Sequence, residues 1–225
     1  MSAPAIFTTK SDIAHEQIKQ MILSGEVKPG DRIKLGEVSR KLGISETPIR
    51  EAILALASEG WLEMTTHVGA VVRSINVGQV HEISSVRGLI CGLAIELNGP
   101  CFDTAILQRL EQNVEAMDAA MKRGDVKDFS ALNDEFHRLL CGGALSPWCA
   151  HIMESVLGLT SYQRHGIVPK TERLEESVRE HRKIVEHLHD GDFRAAADMA
   201  KVHERNAGLF LIKELNKAKS EASDA

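Results

Sequence analysis

Gly43-Ile44-Ser45-Glu46-Thr47-Pro48-Ile49-Arg50-Glu51-Ala52-Ile53-Leu54 decides the fold of the first third of this chain. Before it, Leu35, Val38 and Leu42 keep helical spacing, and Gly43 followed by Ile44 reads as a C′ glycine with its hydrophobic partner. Ser45 or Thr47 caps a second helix. Pro48 is tolerated in its first turn, where a backbone N–H has no helical partner. Ile49, Ala52, Ile53, Leu56 and Ala57 recur at three- and four-residue steps and so form its buried face. Thr47 and Arg50 then point outward near the helix N-terminus. Two short helices joined by a glycine turn, with polar residues at the front of the second, form a helix-turn-helix suited to a DNA major groove.

The flanking sequence extends this pattern. Ser11-Asp12 opens an earlier helix with Ala14, Ile18, Met21 and Ile22 on its buried stripe, ending near Ser24-Gly25. Val27-Lys28-Pro29-Gly30-Asp31-Arg32-Ile33 is a Pro-Gly turn into a short extended piece. After Gly60, the runs Trp61-Leu62-Glu63-Met64 and Gly69-Ala70-Val71-Val72-Arg73 flank a polar turn, the wing of a winged helix. Thr66, His67 and Gly69 sit where such a wing meets phosphate or the minor groove.

These residues resemble the winged-helix domain of GntR-family repressors, in the order Pro29-Gly30, Gly43 to Ala52, Glu59-Gly60, His67-Val68-Gly69. The resemblance implies DNA contacts from Ser45, Glu46, Thr47 and Arg50. The family usually carries an arginine where this chain has Glu46. A carboxylate there accepts from cytosine N4 or repels the phosphate backbone, which changes the expected operator. Arg50 matches the family's second arginine.

Composition separates the two halves. Residues 1–75 carry as many basic as acidic side chains, so the net charge of −5 falls wholly on the remainder. DNA binding must therefore rest on the local placement of Arg and Lys. Aromatics are only 4% against 43% apolar residues, which suits Leu/Ile/Ala helical packing. Cys91, Cys101, Cys141 and Cys149 form no C-x-x-C pair and read as reduced thiols of a cytoplasmic protein. No signal peptide or membrane-length apolar run is seen. The fold expected is mostly α: a winged helix-turn-helix over 1–75, three helices with a small hairpin wing, then an all-α bundle over 79–216. A flexible tail is expected over 217–225.

After a short linker near Ser74–Gly78, helices are expected near Val80–Leu97, Thr104–Lys122, Val126–Cys141, from Pro147 to before Gly166, Thr171–His189 and Asp192–Leu215. Some apolar stripes are interrupted by metal-ligand residue types. His181 shares a face with Leu174, Val178, Val185 and Leu188; His203 lies among Ala196, Ala200, Ala207 and Phe210. Asn133 and His137 follow Phe129 at four-residue steps. Imidazoles converging from packed helices suit Zn, Ni or Cu, with Mn also open.

Leu132-Asn133-Asp134-Glu135-Phe136-His137, Glu180-His181-Arg182-Lys183-Ile184, Gly191-Asp192-Phe193 and His203 resemble the FCD-type ligand-binding domain of the FadR subfamily. The resemblance implies a divalent metal held by Asn133, His137, His181 and His203, with Asn133 standing where many relatives have Asp. Arg87 shares the inward face of Ile83, Ile90 and Ala94, so its guanidinium needs an anion. A small carboxylate effector would serve, and so would an internal salt bridge to Glu96 or Asp134. The glutamate that relatives often carry four residues later is Cys91 here. Tyr162 and Arg164 are further effector candidates. The sequence thus suggests a homodimeric regulator reading a short inverted repeat and sensing a small organic acid. A metal-sensing regulator or a metal-dependent hydrolase on the helical bundle are the alternatives.

Overall fold

A computed structural model of the chain describes residues 9–66, 68–74, 76–142, 145–163, 169 and 171–223, with backbone alone for 158–163 and 218–223. The chain divides into two compact units, 1–74 and 75–225.

In the first unit, α1 (Lys10–Leu23) starts one residue before the expected Ser11. Thr9 caps it, because Thr9 Oγ1 accepts from the Asp12 N–H while Asp12 accepts from the Thr9 N–H. α2 (Leu35–Leu42) ends at Gly43, whose φ of 65° is the left-handed conformation that glycine adopts without a Cβ penalty. α3 (Glu46–Ser58) follows, with Ser45 at the N-cap position but without a side-chain capping bond, and Thr47 already inside the helix. Ile49, Ala52, Ile53 and Leu56 are buried as their spacing requires. β1 (Arg32–Ile33), β2 (Leu62–Thr65) and β3 (Gly69–Val72) form an antiparallel sheet in the order β1-β3-β2. The expected hairpin is therefore a three-stranded sheet, since Arg32 pairs with Val71 and Ile33 with Ala70.

The second unit is helical: α4 (Val77–Asn98), α5 (Thr104–Lys122), α6 (Val126–Leu140), α7 (Pro147–Gln163), α8 (Thr171–His189) and α9 (Phe193–Ser223). A single 3₁₀ turn, Gly99–Cys101, links α4 to α5. Two boundaries differ from expectation. Asn76 caps α4 through a capping box with Gln79, so that helix begins at Val77, inside the expected linker. α9 runs on to Ser223 instead of stopping at Leu215, because Lys217, Ala218, Lys219 and Glu221 in the expected flexible tail are good helix formers.

α4 and α9 approach closely through glycine. A Cβ on Gly208 would lie 2.3 Å from Ser84 Oγ, and one on Gly88 would lie 3.2 Å from the Lys201 Cα. That approach sets the polar residues of the two helices facing each other. Phe136, Leu110, Met117, Leu140 and Ile95 fill the surrounding apolar core. Among the described residues no helix is long and apolar enough to cross a membrane.

Candidate functional site

The first unit presents an exposed polar surface at the front of α3. Burial of Ile49, Ala52 and Ile53 turns Ser45, Glu46, Thr47 and Arg50 to solvent. α1 braces this helix: Ser11 Oγ lies 3.5 Å from the Pro48 carbonyl oxygen, and His15 Nε2 lies 2.7 Å from Glu59 Oε1. Thr66 is exposed in the wing turn, and Gly69 has a φ of 99°. His67 lies outside the described residues. Arg32 was not singled out from sequence, yet the β1–β3 pairing sets its guanidinium beside the wing, 3.8 Å from where a Gly69 Cβ would be. A basic side chain there adds to the charge available for phosphate. Only the long-range strand pairing reveals it.

In the second unit, α4, α6, α8 and α9 each send polar side chains into one buried region. His137, His181 and His203 are 0%, 0% and 2% exposed. One ring nitrogen from each lies within 4.8 Å of the others. The ring centroids are 5.6 Å apart for His137–His181, 5.3 Å for His137–His203 and 4.2 Å for His181–His203.

The Nδ1 atoms of all three face other partners. His203 Nδ1 donates to Glu180 Oε2 at 2.8 Å. Glu180 is itself held by Asn206 Nδ2, which donates to Oε1 at 2.7 Å, and by Arg173 at 3.3 Å. His181 Nδ1 lies 3.5 Å from Ser177 Oγ. His137 Nδ1 faces Glu204 Oε1 at 3.3 Å and Cys91 Sγ at 3.5 Å. Hydrogen bonding at one imidazole nitrogen fixes the tautomer and presents the other as a lone-pair donor, the arrangement that orients metal-ligating histidines. The Nε2 atom of His181 is buried and makes no hydrogen bond. Such an orphan costs on the order of 1–3 kcal/mol unless something occupies the space it faces. The donor chemistry therefore fits a borderline-soft divalent metal such as Zn.

Asn133 is buried beside this group, its Nδ2 3.5 Å from Asp134 Oδ1. With Arg87, Arg173, His203 and Glu204 it lines a cavity of about 90 Å³, whose remaining wall includes Val80, Phe129, Leu174 and Leu211. Cys91, His137 and Glu204 form a second cluster of ligand-type atoms within 4.8 Å of one another. There the Glu204 oxygen already serves Arg87 and His137, which leaves the three-histidine volume as the better cation site. The side chain of Tyr162, and Arg164 altogether, lie outside the described residues.

Arg87 forms an internal salt bridge, and a partner that the sequence did not single out is Glu204, with Nη2 donating to Oε1 at 2.8 Å. The charge of buried Asp134 acts on the same guanidinium. The pair is almost wholly buried, at 6% and 1% side-chain exposure. Burial works against the guanidinium charge, but the charges of Glu204 and Asp134 outweigh it and hold the Arg87 pKa above its usual value. A signal for Glu204 existed in the sequence: it follows Ala200 by four and Ala197 by seven, on the buried stripe of α9. Glu180 and Arg173 were also missed, as partners of a histidine on another helix.

The titration of His181 yields a prediction. Burial, then the charge of His203, pushes its pKa well below the ordinary value near 6.5. In the metal-free protein, the unfolded chain takes up a proton below pH ~6.5 that folded His181 refuses. Stability from this group is full above that pH and lost as pH falls toward the depressed folded value, by up to about 1.4 kcal/mol per pH unit. Urea unfolding of chelator-treated protein at pH 7.5 and 5.5 should give the lower stability at 5.5, and His181→Phe should flatten the difference. Equal sensitivity in both proteins would assign the effect elsewhere.

Comparison with known proteins gives this geometry its setting. Residues 10–72 match the family model described as bacterial regulatory proteins, gntR family, and residues 82–206 match the FCD domain. The chain is 30% identical over 190 residues to the HTH-type transcriptional regulator YdhC of Bacillus subtilis, covering 84% of this chain and 85% of that protein. It is 29% identical over 192 residues to a probable D-xylose utilization operon transcriptional repressor of Paenarthrobacter nicotinovorans, covering 82% and 81%. Among solved structures, E. coli McbR/YncC superposes with a TM-score of 0.80 at 19% identity over 93% of this chain and 100% of that one, a likeness of fold. The hydrolase alternative falls with these matches, because the relatives are transcription regulators rather than enzymes. Exposed recognition-helix residues followed by a helical domain with a polar interior thus make the chain a DNA-binding transcription regulator of the GntR family, with an FCD domain as its second unit.

Proposed function

We propose that the protein is a cytoplasmic, homodimeric repressor that binds a short inverted repeat through Ser45, Glu46, Thr47 and Arg50, aided by Thr66, His67 and Gly69 in the wing. Its second domain senses a small carboxylate beside Arg87, with a divalent metal, Zn or Ni before Mn, at Asn133, His137, His181 and His203. Tyr162 and Arg164 remain effector candidates. The observation that carries the reading is the buried histidine trio, each ring oriented from its Nδ1 side, of which His203 also lines a cavity shared with Asn133, Arg87 and Arg173.

Repression is favoured by the named role of the Paenarthrobacter relative. Dimerisation is favoured by Val86, Leu89, Leu93 and Leu97, which make an exposed apolar stripe at helical spacing along α4. A monomer has little reason to leave such a stripe in water. Two recognition helices on a two-fold axis then suit a palindromic site. Ligand binding acts through its differential affinity for the DNA-bound and released dimer states.

The experiment uses untagged protein and a duplex recovered by selecting random-sequence DNA on it. Elemental analysis should find one metal per chain, and zinc should raise the melting temperature of wild type but not of His181→Ala. Small carboxylates should then release the selected duplex in a fluorescence anisotropy titration. No stoichiometric metal and no thermal gain from zinc or nickel would defeat the metal site. Release by metal alone, with carboxylates inert, would favour the metal-sensing alternative, which uses the same ligands.

A further inference from the structure

The groups standing behind the three histidines are unequal. His203 Nδ1 meets a carboxylate, Glu180 Oε2, at 2.8 Å. His181 Nδ1 meets only neutral atoms of Ser177, the hydroxyl at 3.5 Å and the backbone. His137 Nδ1 faces Glu204 Oε1 at 3.3 Å, and that same oxygen takes the shorter 2.8 Å bond from Arg87. A hydrogen bond to an ionised acceptor is roughly twice as strong as one between neutral groups. His203 is therefore the ring held most firmly from behind.

The carboxylate is itself fixed on both oxygens. Glu180 precedes His181 on α8, so it points roughly 100° around the helix from that inward ring, and there it reaches α9. Asn206, three residues after His203 on α9, donates from Nδ2 to Glu180 Oε1 at 2.7 Å. Arg173, two turns earlier on α8, lies 3.3 Å from Oε2. The carboxylate cannot turn away from His203 without also giving up these bonds. A clamp between two helices would need the ion pair and the amide, but not a carboxylate oxygen aimed at a ring nitrogen.

We propose that Glu180 is the positioning residue of the histidine site: it locks His203 as the Nδ1–H tautomer, presents Nε2 as a lone-pair donor to the space shared with His137 and His181, and makes His203 the ligand whose support matters most for holding a divalent metal. The ligand role rests on the metal reading above; the tautomer lock is a property of the metal-free chain. The tautomer of a ring follows the hydrogen bond at its other nitrogen, and an unrestrained imidazole in water favours the Nε2–H form. Losing the partner behind a metal-binding histidine lowers both its orientation and its basicity.

The test has two readouts on the full chain. Nitrogen-15 NMR of histidine-labelled, chelator-treated protein reports the ring tautomers without metal. His203 should carry its proton on Nδ1 in wild type and shift toward Nε2–H in Glu180→Leu. Competition with a chromophoric chelator then gives Zn²⁺ affinity. Glu180→Leu should weaken it by about 10–100-fold, the usual cost of losing such a partner, and Ser177→Ala by distinctly less. Glu180→Gln keeps an acceptor oxygen without the charge, so it should retain the Nδ1–H form and fall between wild type and Glu180→Leu in affinity; it also keeps the test open if the leucine variant fails to fold. An Nδ1–H ring that persists in Glu180→Leu overturns the proposal. So does a Zn²⁺ loss no larger than that of Ser177→Ala, or a variant that melts lower with tautomer and affinity intact, which would make Glu180 a clamp between α8 and α9. A wild type that binds no Zn²⁺ would overturn the metal reading and the ligand role with it, whatever the tautomer shows.

Discussion

Glu204→Leu should destabilise the second domain by about 3–5 kcal/mol, the usual cost of breaking a buried ion pair from one side. Arg87 Nη2 and Glu204 Oε1 are 2.8 Å apart and nearly inaccessible to water, so removing the carboxylate takes a buried ion-pair partner from a guanidinium that water cannot readily solvate in its place. The same change takes from His137 Nδ1 the oxygen 3.3 Å away. For a unit of this size the loss corresponds to a fall of roughly 6–20 °C in the second-domain melting temperature. Calorimetry of the full chain in the presence of chelator measures it without interference from metal. The double variant Arg87→Met, Glu204→Leu should recover most of the stability, because apolar isosteres have no charge to strand. A single variant that melts within a degree or two of wild type would mean that the pair is not a buried unit. A double variant as unstable as the single one would trace the loss to His137 or to packing.

That pair also marks where sequence reading stops. The faces of individual helices were legible: Leu174, Val178 and Leu188 turn His181 inward, and Ile49 and Ile53 turn Arg50 outward, as helical spacing dictates. The bounds of α5 and α8 were legible too, since Asp103 caps the first and Gly191 with Asp192 ends the second. Periodicity, however, fixes only the direction of a side chain from its own helix axis. Which two inward faces meet depends on how closely the helices approach, and α4 meets α9 through Gly88 and Gly208. Arg87 and Glu204 are 117 residues apart, so their pairing has no local signature. Glu180 escaped for a similar reason, because its partner His203 stands on a different helix. The extended piece ending at Arg32-Ile33 was legible, but its pairing with β3 was not, because a run of two residues is too short to carry an alternating pattern that would place it in a sheet.

Arg50→Ala should remove specific operator binding while leaving fold and assembly unchanged. Arg50 is exposed on α3 just behind Ser45, Glu46 and Thr47, while its neighbour Ile49 is fully buried. Its side chain thus reaches outward from a rigid support. A bidentate arginine contact to guanine is worth about 1–3 kcal/mol, and a dimer on an inverted repeat makes it twice. The expected loss is therefore roughly 2–6 kcal/mol, or about 30-fold to 10⁴-fold in affinity. It should be measured by anisotropy at fixed salt on the duplex selected with wild-type protein. The salt dependence separates two roles. If Arg50 reads a base, non-specific binding survives with nearly its original salt slope; if it only neutralises phosphate, affinity falls on all sequences and the slope decreases. Glu46 completes the comparison, because it is exposed in the first turn of the same helix and its Oε1 lies 3.7 Å from where a Cβ on Gly36 would be. Glu46→Arg should raise affinity for unrelated DNA by removing a carboxylate near phosphates, and selection on random duplexes should return a different motif. The same motif from both proteins would remove position 46 from base reading, and unchanged operator affinity in Arg50→Ala would remove α3 as this regulator's recognition helix.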